Sequence, residues 1–330
     1  MRVYLDAVQT GWIIGLSLTF GLILPLVLGY VMSWLLTKGL YFGWFVRTTP
    51  NKYPRETPSC AEESQVKMFT SGLSFKEQEK AFLSDVSIVS EGLTLQGLYL
   101  DYHRSISVIV IPGRSETSSY SFYYAELYKN SPYNVLLIDS RATGLSEGKF
   151  LTAGIKESSD LIAWAKFLHD EKHQDSVLLH GICIGAATSL LALAKEDCPA
   201  YIKGAIIEGS FKNFKRMFAC HVKSGHHPSF FVSQELPTYF RHYAQVDILK
   251  DSPEKKVALV HQPVCFIQGK EDIYVPYQDA EELYAACPSE KKELHFFEHG
   301  EHSKLRYYNK KEYDALVLAF FARLSSEEIK

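Results

Sequence analysis

The chain has 330 residues, 46% of them hydrophobic and 22% charged, a globular composition long enough for one large domain with additions. A net charge of −3 gives no basic footprint for DNA or RNA, so nucleic acid is excluded as a partner. The six cysteines are scattered without a Cys-x-x-Cys pair, and the twelve histidines form no set at ligand spacing, so neither a disulfide scaffold, a metal site nor a cofactor is expected.

Gly11 to Leu36 is a run of 26 residues without a charge, about 39 Å of helix and enough to cross a hydrocarbon core with some tilt. Trp12 and Trp34 stand near its ends, Tyr41, Phe42, Trp44 and Phe45 follow as an interfacial belt, and Pro25 is placed to kink it. The run is longer than a signal-peptide core and no small-x-small cleavage site follows, so residues 1–40 are expected to be a retained transmembrane anchor. Lys38, Arg47, Lys52 and Arg55 follow the helix whereas Arg2 and the amino terminus precede it, so the positive-inside tendency places the bulk of the chain on the cytoplasmic face, by a margin of about two charges. Residues 41–83 read as a juxtamembrane linker, with Pro50, Pro54 and Pro58 and little apolar periodicity.

From residue 84 the pattern alternates between strand and helix. Val86–Val89 and Leu93–Leu100 predict a hairpin turning at Glu91-Gly92. The continuous β-branched run Ser107–Ile111 predicts a strand covered on both faces, ending in Pro112-Gly113-Arg114. A Tyr-rich helix over 117–129, a strand at 134–138, a helix over 155–170 and strands at 177–180, 202–208, 264–268 and 293–297 follow. Such alternation argues for a mainly parallel sheet with helices on both faces.

His180-Gly-Ile-Cys-Ile-Gly185 sits between the run Val177–Leu179 and a strong helix former. A strand that turns at once into a helix brings two backbones together, so glycines are required on both sides and only the tip, Cys183, protrudes. A thiol at a helix N-terminus is biased towards the nucleophilic thiolate; a free Cys among apolar neighbours is also an ordinary buried hydrophobe. Downstream, Gly269-Lys-Glu-Asp272-Ile-Tyr-Val-Pro276 and Gly300-Glu-His302 follow the last two strands, at the sheet edge where ligands of open α/β folds bind.

The elbow, the Gly-x-x-Asp-x-x-Val-Pro loop, the late Gly-x-His and the Asp139–Gly148 loop occur in the order seen in the α/β-hydrolase superfamily, which the chain resembles from about residue 84 to its end. Within it the chain resembles membrane-anchored esterase or lipase-like members, with the Cys nucleophile resembling that of dienelactone hydrolases. The resemblance implies a Cys183-His302-Asp272 triad, with backbone N–H groups of Arg114 and Ile184 as the oxyanion hole. His299 is the competing base, disfavoured by the position of Gly300. The implied reaction is hydrolysis of an ester or thioester of a small, lipid or acylated substrate. A catalytically degenerate binding or scaffolding protein and a peptidase of the same fold are the alternatives. An insert at about 211–258 reads as a lid, its many aromatic residues being either an acyl-binding wall or packing for its own helices, with His226-His227-Pro228 as a loop tip.

Overall fold

Strands that are apolar on both faces must be covered on both faces, and their side chains here divide accordingly. A computed structural model describes residues 9–12, 15, 17, 19–226 and 229–326. Its strands are β1 (Leu83–Ser90), β2 (Leu93–Leu100), β3 (Ile106–Ile111), β4 (Tyr133–Ile138), β5 (Ser176–Ile182), β6 (Ile202–Glu208), β7 (Val264–Gly269) and β8 (Lys292–Phe297). They form one sheet in the order β1-β2-β4-β3-β5-β6-β7-β8. From β4 to β8 every pairing is parallel, while β1 and β2 add an antiparallel edge. Val108 and Val110 join the apolar cluster on one face and Ile109 and Ile111 that on the other, the period-two division of a strand buried on both sides. At the hairpin, Glu91 and Gly92 both take positive φ (46° and 78°), the turn whose twist matches that of its strands.

The helices are α1 (Leu24–Phe45), α2 (Glu63–Gln78), α3 (Ser118–Ala125), α4 (Glu157–Asp170), α5 (Ile184–Leu193), α6 (Phe214–Ser224), α7 (Ser229–Tyr239), α8 (Tyr277–Ala286) and α9 (Lys310–Ser326), besides shorter turns. This is the α/β-hydrolase architecture that the sequence predicts. Pro25 falls in the first turn of α1, after a π-helical turn over Thr19–Ile23. There its ring and missing N–H cost least.

Helix α1 is mostly exposed and apolar, with mean hydropathy 1.9 over its most apolar 18 residues, yet it is seated on the domain. Ser33, Thr37, Tyr41 and Phe45, four residues apart and so on one helix face, are its buried positions. Thr37 Oγ1 donates to Val232 O at 3.1 Å and Tyr239 Oη to Trp34 O at 3.1 Å, tying α1 to α7. Tyr41 and Phe45 end among Phe214, Tyr239, Phe240 and Tyr243.

Residues 63–78, within the stretch read as linker, form α2. Met68, Phe69, Gly72 and Phe75 share its buried face, and at Gly72 a Cβ would stand 2.8 Å from Tyr123 N. Ser, Lys, Glu and Gln on the other face dilute that spacing, which is why composition alone reads as polar connector. In the insert, α6 and α7 carry Phe214, Met217, Phe218 and Tyr239 into the main core, with Phe211 just before α6 and Phe240 just after α7. Of these only Met217 lines the cavity described below, so the aromatic residues serve packing. His227 and Pro228 of the expected loop tip, and the Phe231 side chain, lie outside the described residues.

Candidate active site

Strand β5 passes into α5 through Cys183, whose backbone is forced to φ 55° and ψ −114°. A Cβ at Gly181 would lie 2.4 Å from Gly185 O, and one at Gly185 2.1 Å from Ile111 O. Both contacts are impossible for any other residue, so the close packing of β5, α5 and β3 is what demands glycine and thrusts the one side chain outward. Cys183 is only 5% exposed, and its exposed part opens into a cavity of about 580 Å³.

The loop after β7 brings Asp272 against His302, which lines this cavity. Its Oδ1 accepts the N–H groups of Tyr274 and Val275 at 2.9 and 2.8 Å. Its Oδ2 accepts Gln268 Nε2 at 3.0 Å and His302 Nδ1–H at 2.6 Å. The carboxylate is thereby fixed on one side by backbone and aimed with the other at the imidazole. His302, from the loop after β8, is buried, which lowers its pKa, but the charges of Asp272 and Cys183 outweigh burial and hold it well above the usual range. Its Nε2 makes no hydrogen bond of normal geometry, leaving that nitrogen for Cys183 or a ligand. His299, the competing base, is exposed on Glu271 at 3.3 Å and does not line the cavity.

The loop after β3 forms the opposite wall. Gly113 N–H is taken by Glu116 Oε2 at 2.8 Å. Neither the Arg114 nor the Ile184 N–H is taken by a turn or loop carbonyl among the described residues. Cys183, Asp272, His302, Arg114 and the start of α5 thus meet at one sheet edge. His221 and Tyr274, stacked at 3.8 Å, close the side nearest the insert. Burial, with Arg114 and His302 nearby, pushes His221 down to about 3, so it is neutral.

Residues 119–328, more than half of the chain, match the prolyl oligopeptidase family. The chain belongs to that family. This prolyl oligopeptidase-family member is thus a hydrolase acting on ester or peptide bonds. It is 26% identical over 255 residues to the uncharacterized protein YqkD of Bacillus subtilis (strain 168), covering 76% of this chain and 82% of that one. Among solved structures, the Pyrococcus furiosus esterase Pf2001 superposes with a TM-score of 0.61 at 22% identity, covering 75% of this chain and 95% of that one. An acylaminoacyl peptidase of Pyrococcus horikoshii gives a TM-score of 0.56 at 18% identity, covering 73% of this chain and 41% of that one.

Two buried carboxyls near His302 escape sequence reading. Glu116 and Glu208 are both pushed up to about 7, first by burial; each sits within electrostatic reach of His302. Tyr313 Oη donates to Glu208 Oε2 at 2.5 Å and also meets His180 Nε2 at 2.7 Å, while His180 Nδ1 meets Tyr128 Oη at 2.8 Å. Burial holds His180 down at about 3, so this row carries no positive charge. For Glu208 the sequence signal is a Glu closing the apolar run Ala205–Ile207 of β6, read as a plain strand end. A Cys, Glu and His group of ligand-like spacing, Cys265, Glu293 and His295, lies on β7 and β8. Glu293 there is engaged by His295 at 3.0 Å and by Arg323, so the group is already paired within the protein.

Proposed function

We propose that the protein is a membrane-anchored hydrolase of ester or thioester bonds, working through an acyl-enzyme on Cys183. His302 Nε2 takes the thiol proton while Asp272 holds the Nδ1–H and stabilises the imidazolium. The sulfur forms a bond to the acyl carbon, the carbonyl electrons move to oxygen, and that oxyanion is met by the N–H groups of Ile184 and Arg114. Collapse expels the leaving group, which takes the proton back from His302, and water activated by the same imidazole then cleaves the thioester. The observation that carries the reading is the 2.6 Å His302–Asp272 hydrogen bond, standing beside the strained Cys183 tip in an open cavity.

The long apolar α1 supports the anchor. Lys38, Arg47, Lys52 and Arg55 support a cytoplasmic domain by the positive-inside tendency. Three of them also have local duties: Arg47 holds Ser146 O and Gly144 O, Lys52 holds Phe42 O and Val46 O, and Arg55 pairs with Asp139.

Family membership favours a second reading, amide cleavage. A panel of short p-nitrophenyl esters, thioesters and p-nitroanilides separates the two. Ester turnover that Cys183→Ala abolishes is the expected outcome, together with iodoacetamide labelling of Cys183 faster than that of a free thiol. Turnover confined to anilides establishes the peptidase, and ester hydrolysis undiminished in Cys183→Ala removes the proposal. Absence of turnover in all three classes leaves a binding protein.

A further inference from the structure

We propose that Arg114 is a recognition site for a carboxylate on the substrate, so that the ester or thioester cleaved is one of an acyl compound bearing a single negative charge. This deepens the hydrolase reading and rests on it.

A guanidinium is a rigid fork of five donors, and proteins that bury one supply it with a carboxylate or several carbonyls. The chain follows that rule elsewhere. Arg141 grips Asp160 at 2.7 Å and Arg306 grips Asp314 at 2.6 Å. Arg114 is different: it is half-buried, lines the cavity beside Cys183, and makes no ion pair among the described residues. Its side-chain hydrogen bond is Nη1 to Ser115 Oγ at 3.2 Å. The group is not loose, because it lies over the Trp44 ring at 4.9 Å, at the end of α1, and Trp44 packs edge-on against His221 of the cavity wall. Cation–π stacking fixes the plane of the fork while leaving its edge donors free. A preorganised cation with unspent donors at the reacting end of a cavity is a seat for an anion.

The surroundings choose the anion. Glu116, a carboxyl within electrostatic reach, has spent Oε2 on Gly113 N–H. At the rim, Glu62 and Glu301 share Lys304, and Glu271 holds Gly300 N–H, so the remaining acids are engaged. Among the described residues, one cation of the cavity lining without an ion pair, within an acidic rim, matches one negative charge; a phosphate dianion would face three carboxylates. Arg114 also lies within electrostatic reach of the Cys183 sulfur. A role confined to that thiolate would help every substrate equally, whereas a recognition role favours anionic ones.

The test uses the full chain in neutral detergent and two matched ester pairs. Mono-4-nitrophenyl glutarate against 4-nitrophenyl pentanoate places the charge on the acyl side. 4-Acetoxy-3-nitrobenzoate against 2-nitrophenyl acetate places it on the leaving group. In one pair the anionic member should be preferred in kcat/KM by on the order of 100-fold, as for a charge-assisted hydrogen bond to a desolvated anion. Arg114→Gln should bring that ratio close to 1, and Arg114→Lys should restore part of it. Equal use of both members in both pairs overturns the proposal, as does a preference that survives in Arg114→Gln. Calorimetry on the Cys183→Ala protein, which needs no turnover, separates the two levels of the argument. Hexanoate should bind at least about tenfold more tightly than hexanol and lose that advantage in Cys183→Ala/Arg114→Gln. Selective binding without ester hydrolysis by the parent would defeat the hydrolase reading alone, and hydrolysis without selective binding would defeat this inference alone.

Discussion

Replacing Asp272 by Asn keeps the shape of the side chain and removes its charge. Oδ1 is committed to two backbone N–H groups, so the amide oxygen must stay there and the NH2 turns to His302 and to Gln268 Nε2, both of which donate in the parent. Facing a donor, the imidazole has to carry its proton on Nε2, and in that tautomer it cannot accept the thiol proton. Breaking a buried ion pair from one side destabilises the fold by about 3–5 kcal/mol, and the wrong tautomer should lower the rate by about four powers of ten, as the same change does in a Ser-His-Asp triad. The assay is kcat/KM on a 4-nitrophenyl ester, together with peptide-level mass spectrometry of Cys183 alkylation between pH 5 and 9. His302 is raised above its unfolded value, so the stability that this gives is complete below about pH 6.5 and is lost as pH climbs through the folded value. The stability gap between parent and variant should therefore be widest just below pH 6.5 and narrow on the alkaline side. Ester hydrolysis and alkylation within threefold of the parent at neutral pH would refute the reasoning.

Glu208 makes stability fall with rising pH as His302 does, but in a lower window. Its folded value of about 7 lies above that of a free carboxyl, so it lowers stability progressively from about pH 4.5 to 7, by about 3 kcal/mol in all. Glu208→Gln should flatten that fall in urea titrations at pH 5 and 8; an unchanged slope would count against it. Gly185→Ala places a Cβ 2.1 Å from Ile111 O and should cost at least about 2 kcal/mol, read as a fall in melting temperature together with loss of ester hydrolysis; a parental melt would contradict the elbow packing. Removing residues 1–45 uncovers Phe214, Tyr239 and Phe240, so the truncated chain should aggregate in light scattering where the full chain in detergent stays monodisperse. A monodisperse, equally stable truncation would show that α1 adds nothing to the domain.

Strand and elbow were legible because each had a short-range cause: β-branched runs for β3 to β7, a glycine on either side of Cys183 where two backbones meet. The order of Asp272 and His302 after the elbow pointed to one sheet edge, and the fold brings both there. Helix α2 was hidden because its apolar face has only a few members, set among polar residues that face water. Glu116, Glu208 and the unpaired Arg114 guanidinium were hidden for another reason. What marks them is the company each keeps across 70 or more residues of chain, Tyr313 for Glu208, His302 for Glu116, Trp44 for Arg114, and no local pattern encodes that. The aromatic insert, legible as composition, left its use open until the side chains were seen to turn into the core.

The most direct measurement is intact-protein mass spectrometry of the parent, acid-quenched during turnover of a 4-nitrophenyl ester. The account requires an added acyl mass, mapped to the peptide that carries Cys183, released by neutral hydroxylamine as a thioester is, and absent in Cys183→Ala. Steady turnover with the adduct on any other residue, or with the same adduct in Cys183→Ala, would contradict it.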